Sequence, residues 1–281
     1  MKTYIAFLSI LFLASCTAAK LSVPEKFEKQ ATRMQVKGVN GWQVGQKLSF
    51  GNYQTSAIKR GWDFSSSLQW TKFSIRPEES LLRVFNIDIN HEKDFKRNKF
   101  QYVIEDGNLI AEVYANEKFS ERELVYTSNN PWIGDASKTK NYNYSFSAAI
   151  VPLTTADKEP WSLAMVSKYD INKDTARKIF DKPYVEEEGH ATNGKETISI
   201  RSLRIEKVTT KNGKDMKVFG GKLLSGYELS WDDGVVAIVD ILDNSIWIYN
   251  DLDASDKLIL SSIASAILLK RMQDVEKDRD L

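Results

Sequence analysis

Asp256–Met272 reads DKLILSSIASAILLKRM. Its middle, Leu258 to Leu269, is a run of twelve uncharged residues in which Ser261, Ser262 and Ser265 are the only polar side chains. At about 100° per residue on a helix, Leu258, Ile259, Leu260, Ile263, Ile267 and Leu268 spread round the circumference and leave no continuous polar face. Such a helix has to be surrounded. Crossing a bilayer core takes roughly 20 apolar residues, so the expected surroundings are the rest of the protein, with a membrane-surface helix as the alternative. Serine suits a buried helix, because its hydroxyl can bond a carbonyl one turn back.

Outward from this helix, toward the N-terminus, the pattern changes to period two. Phe85, Ile87 and Ile89 alternate with Asn86, Asp88 and Asn90; Tyr142, Tyr144, Phe146, Ala148 and Ile150 alternate with Asn143, Ser145 and Ser147. Both runs predict half-buried strands. Asp106-Gly107, Asn212-Gly213 and Asp233-Gly234 each offer the positive-φ pair of a two-residue hairpin, so the sheet is expected to be at least partly antiparallel. Further strands are expected at Met34–Val36, Lys47–Tyr53, Gln54–Lys59, Ser66–Ile75, Trp161–Ser167 and Ser245–Tyr249, and the apolar phase switches between Ile200 and Leu203, which suggests a bulge. The fold class that follows is mainly β: an antiparallel barrel or strongly curled sheet of about twelve strands enclosing a hydrophobic C-terminal helix, which removes the sheet edges and buries the helix together.

The strands Val235–Val239 and Ile246–Ile248, with the helix Leu258–Leu269 directly after them, resemble the C-terminal part of the tubby-like family, which includes the phospholipid scramblases. The resemblance implies a closed antiparallel barrel threaded by its last helix. No counterpart is found here for the cationic pair with which that family holds phosphoinositides.

The N-terminus has a different character. Met1–Ala14, MKTYIAFLSILFLA, carries one lysine and then an apolar run broken only by Ser9, the n- and h-regions of a secretory signal. Leu13-Ala14-Ser15-Cys16 follows and resembles the lipobox of bacterial lipoproteins. In that family the cysteine thiol receives a diacylglycerol and cleavage falls just before it, so the resemblance implies that Cys16 is the lipidation site and the anchor to the membrane. Cys16 is also the only cysteine in the chain, which leaves no thiol for a disulfide or a zinc site. The expected organisation is a signal peptide at 1–15, a lipid anchor and short tether at 16–32, and a single β-rich domain at 33–281. Ser22-Val23-Pro24-Glu25 has capping-box spacing, with a short helix expected through about Gln30. Thr17-Ala18-Ala19-Lys20 lacks both the Asp that retains proteobacterial lipoproteins in the inner membrane and the acidic cluster that sends others to the cell surface. By resemblance to those rules the chain is expected at the outer membrane, facing the periplasm.

Charge and chemistry narrow the function. The chain has 39 Lys+Arg and 38 Asp+Glu, and loss of Lys2 with the signal brings the balance to zero. Such a chain has no broad electrostatic footprint for nucleic acid. His91 and His190 stand alone, and no H-E-x-x-H or G-x-S-x-G occurs. His190 follows Glu186-Glu187-Glu188-Gly189 in what reads as a solvated loop from Asp181 to Glu196. Asp170-x-Asn172-x-Asp174 opens like an EF-hand loop but lacks its glycine and final glutamate, and Asp174 is expected to cap a short helix instead. No catalytic residue, metal site or cofactor is implied. Of the seven tryptophans, Trp62, Trp70, Trp231 and Trp247 are expected in the core. Trp132 and Trp161 fall at loop edges and, with Tyr53, are the candidate ligand-binding residues. With the interior filled by a helix, the expectation is a non-enzymatic envelope protein that binds a partner protein or envelope component through its surface. Binding of an apolar, lipid or glycan ligand, or hydrolysis of an envelope polymer, are the alternatives.

Overall fold

The computed structural model describes residues 21, 23–39, 45–61, 96–126, 136–154, 159–170, 186–205, 207–209, 215–217 and 223–277. The protein is mainly β, a nearly closed antiparallel barrel of twelve strands with the C-terminal helix packed within it. A short helix, α1 (Glu25–Glu28), precedes strand β1 (Ala31–Gln35). Around the barrel from β1 come β15 (Ser245–Tyr249), β14 (Gly234–Asp240), β13 (Leu223–Trp231), β10 (Thr197–Ile205), β9 (Glu186–Thr192), β8 (Trp161–Asp170), β7 (Ala136–Pro152), β6 (Ile110–Tyr126), β5 (Lys96–Glu105), β3 (Tyr53–Thr55) and β2 (Ser49–Phe50). Strand β4 (Lys59–Arg60) continues beside β5, and β11 (Lys207–Thr209) pairs with β12 (Asp215–Lys217) apart from the barrel. Among the described residues the ring is joined by one bridge: the Lys37 N–H donates to the Ser49 carbonyl at 2.9 Å and the Ser49 N–H to the Lys37 carbonyl at 3.2 Å. Curvature enters, among the described residues, at three register shifts, Arg122/Glu123, Leu203/Arg204 and Leu229/Ser230. The second of these is one step beyond the bulge expected from the sequence.

Helix α2 (Ala254–Lys277) threads this ring, and every side chain from Leu258 to Lys270 is buried. Period-two alternation turns Phe100, Tyr102 and Ile104 of β5, Val113 and Ala115 of β6, and Phe146, Ala148 and Ile150 of β7 onto it. The helix touches β6 and β7 on one side and β14 and β15 on the other. Among the described residues no helix is long and apolar enough to cross a membrane.

Three local expectations shift. The β5–β6 turn centres on Gly107-Asn108, with Gly107 at φ 95°, because the Asp106 carboxylate accepts the N–H groups of Asn108 and Leu109 at 2.9 and 2.7 Å. The β13–β14 turn centres on Asp232-Asp233, at φ 47° and 62°, since Trp231 already pairs with Gly234. The single strand expected over Lys47–Tyr53 is broken by a turn at Gly51, φ 54°. Residues 66–75, 85–89 and 174–180 and the Asn212-Gly213 turn lie outside the described residues, as does Ser22, and helix α1 takes Pro24 as its N-cap.

Candidate functional site

The strand register builds a polar belt near one end of the barrel. Tyr144 lies opposite Ser167, Ser167 opposite Glu187, and Ser202 opposite Tyr227. The side chains of Tyr144, Ser167, Glu187 and Tyr227 are all buried. Lys270, the residue after the greasy run of α2, reaches this level and is 2% exposed. Its Nζ donates to Glu187 Oε2 at 2.6 Å and to the Tyr227 hydroxyl oxygen at 3.0 Å, and the Tyr227 O–H donates to the same Glu187 oxygen. The ammonium also sits 4.9 Å from the Tyr144 ring centroid and 5.1 Å from that of Tyr227, where the quadrupole of an aromatic face attracts a cation.

Burial pushes the Glu187 carboxyl upward, but the Lys270 ammonium, the Tyr227 hydroxyl and the Arg204 guanidinium outweigh it and hold the group below the usual carboxylate range. Burial, with the neighbouring carboxylate, pushes the Tyr227 phenol far above its ordinary value despite Lys270. The node is therefore an ion pair bridged by a neutral tyrosine. Taking two charges out of water costs several kcal/mol per ion, and only close, well-bonded geometry offsets it.

A second set of polar contacts engages another side of α2. The Tyr102 hydroxyl and Ser265 Oγ lie 2.7 Å apart, Ser265 Oγ donates to the Ser262 carbonyl at 3.0 Å, and Ser262 Oγ donates back to the Leu258 carbonyl at 2.8 Å. That last bond is the one-turn back-bond expected of a buried serine. Tyr53 lies against Ser261, and burial raises its phenol pKa, with Ser261 working against the rise and Asp106 adding to it. Ser265 and Lys270 are about 140° apart round the helix at 100° per residue. A helix greasy on every side has no stripe to fix its rotation, and these two polar contacts supply that fix.

The residues singled out in the sequence fall as follows. Tyr53, 5% exposed, and Trp161, 2% exposed, stand in the core. Trp161 is the first residue of β8, opposite Ile150, and its ring meets Trp231 edge-on at 5.6 Å between centroids. Its position beside Pro160 suggested a loop edge, but the inward phase of β8 begins with it. Trp247 faces outward, half-buried, with the Arg33 guanidinium 5.8 Å from its ring. Trp132, Cys16, His91, Trp62 and Trp70 lie outside the described residues.

The loop expected over Asp181–Glu196 is corrected: Glu186–Thr192 is strand β9, held between β8 and β10. His190 is therefore half-buried on a strand, and burial lowers its pKa. Asp170 ends β8. Among the described residues no three His, Cys, Asp or Glu side chains group as a metal site would require. Glu187, Tyr227 and Lys270 were not foreseen. Lys270 adjoins Arg271 at the end of an apolar run and reads as a solvated helix end. The available signal was Glu187 in phase with Gly189 and Ala191.

Compared with models of known families, with curated proteins and with solved structures, the chain matches none.

Proposed function

We propose that this is a lipid-anchored protein of the bacterial cell envelope, held by Cys16 in the outer membrane and facing the periplasm, and that it works without catalysis, by binding a partner protein or envelope component through its outer surface. The observation that carries the surface reading is the unbroken burial of Leu258–Lys270, which fills with the chain's own helix the space a ligand-binding barrel would offer. The Lys270–Glu187–Tyr227 node supports the same reading, since its three polar groups are bonded to one another. The barrel-around-helix arrangement is also what the tubby-like likeness implies, and no headgroup role is drawn from it. The lipobox Leu13–Cys16 and the lone cysteine support the anchor.

Two measurements test this. Cells expressing the full chain are fed an alkyne-tagged fatty acid: the wild type is expected to carry the label and fractionate with membranes, and Cys16→Ala to lose both. Equal labelling of the two would overturn the anchor. The purified protein is then analysed by native mass spectrometry, where no stoichiometric lipid beyond the covalent acyl groups is expected. A bound lipid at one per chain would overturn the surface reading in favour of an internal apolar ligand.

A further inference from the structure

The antiparallel ladder sorts the connections between two ends of the barrel. Followed round the ring, Glu105 pairs with Ile110, Ile150 with Trp161, Ser162 with Thr192, Ile198 with Trp231, Ala237 with Ile248 and Tyr249 with Ala31. The turns at 106–109, 193–196 and 232–233 therefore share one end with the start of β1, helix α1 and the first turn of α2. Where the chain joins the barrel it is pinned there: the Asn250 N–H donates to the Gln30 carbonyl at 2.9 Å, and Thr32 Oγ1 donates to Asn250 Oδ1 at 2.7 Å. The turn 241–244, the start of β13 at Leu223 and the Lys270 end of α2 lie at the opposite end.

We propose, resting on the Cys16 anchor, that the barrel stands on the membrane with the 106–109, 193–196 and 232–233 turns toward the headgroups, and that the surface this end fits is a zwitterionic lipid one. Reach carries the first half. The six residues Thr17–Ser22 span at most ~20 Å. The helix from Ala254 to Lys270 measures ~24 Å from end to end at 1.5 Å per residue. A tether fixed at the α1 end cannot run back along the barrel and invert it. Charge carries the second half. The turn tips and the loop before α2 hold Asp106, Glu196, Asp232, Asp233, Asp251 and Asp253, whereas Lys195 is paired with Glu159 at 2.9 Å and Lys257 donates to the Asn250 carbonyl at 2.7 Å. Against an anionic bilayer this end is repelled within a Debye length of about 8–10 Å, so the tether draws the barrel in while charge holds it off.

The test uses the full acylated chain in vesicles whose phosphatidylcholine carries a nitroxide quencher on its headgroup. Cys16 is the only native cysteine, so a thiol-reactive fluorophore goes to the introduced site alone in Lys195→Cys or Leu223→Cys; both positions are exposed and at opposite ends. Quenching is expected to be several-fold stronger at position 195. It should weaken when phosphatidylglycerol replaces part of the phosphatidylcholine at low salt, and recover at high salt. With the protein floating alongside the vesicles, equal quenching or stronger quenching at 223 overturns the orientation. Quenching at 195 that ignores lipid charge overturns the stand-off. If the wild type floats no better than Cys16→Ala, the anchor itself fails and the orientation with it.

Discussion

Lys270 brings a positive charge into a largely apolar interior that also buries the carboxylates Glu117 and Glu187, and Glu187 holds it directly at 2.6 Å. Removing one partner of such a pair leaves an unanswered buried charge and costs ~3–5 kcal/mol, whereas replacing the whole set by apolar side chains is often neutral. Lys270→Ala and Glu187→Gln are each expected to lower the urea midpoint strongly. The triple variant Lys270→Met, Glu187→Leu, Tyr227→Phe is expected to recover most of the loss. Acid should act through the same group. Burial raises the Glu187 carboxyl, but Lys270 and Tyr227 outweigh it and depress its folded pKa. Its contribution is present above the unfolded value of about 4.3 and is lost as pH falls from there through the lower folded value. Urea midpoints measured across that interval are expected to fall more steeply for the wild type than for Glu187→Gln. None of this chemistry stands out in the linear chain, because a lysine followed by Arg271 looks like a water-facing helix end and a glutamate between two others looks like a loop.

Strand β9 shows why one whole element escaped notice. Its inward positions are Glu187, Gly189 and Ala191, of which one is charged, one has no side chain and one is small, so the alternation that betrays other strands has almost no apolar amplitude. Gly189 is needed for contact: a Cβ there would lie 2.5 Å from the Ala164 carbonyl oxygen and 2.6 Å from Met165 Cγ. Gly189→Ala is expected to cost about 1–3 kcal/mol, read as a lower thermal midpoint. The hairpins at Asp106-Gly107 and Asp233-Gly234, by contrast, were legible to within a residue. Asp-Gly signals the turn, but which two residues take positive φ depends on where the ladder stops, and for β13 it stops at Trp231–Gly234. Asp232 and Asp233 both occupy left-handed backbone. Asp232→Asn with Asp233→Gly supplies the pair that geometry prefers. It is expected to stabilise by up to ~1 kcal/mol, or roughly 2–4 °C in a protein of this size.

At the scale of the whole molecule, barrel and helix are one cooperative object. The helix was readable as an all-round apolar run and the sheet as alternation, and each needed the other to be buried. Ending the chain after Asp253 would leave a lumen lined by Phe100, Tyr102, Phe146, Ile150 and Leu163 open to water. That truncation is expected to bind a hydrophobic dye strongly and to lose its near-ultraviolet circular dichroism. The seam adds a matter of timing. Strand β1 has its full-length sheet neighbour in β15, with Ala31 meeting Tyr249, so the earliest strand to be synthesised waits for nearly the latest. At ribosomal speeds of about 5–20 residues per second, that wait lasts roughly 10–45 s. During it the nascent chain is an unfinished cylinder with two adhesive margins, open to wrong pairing until its last strand and helix arrive.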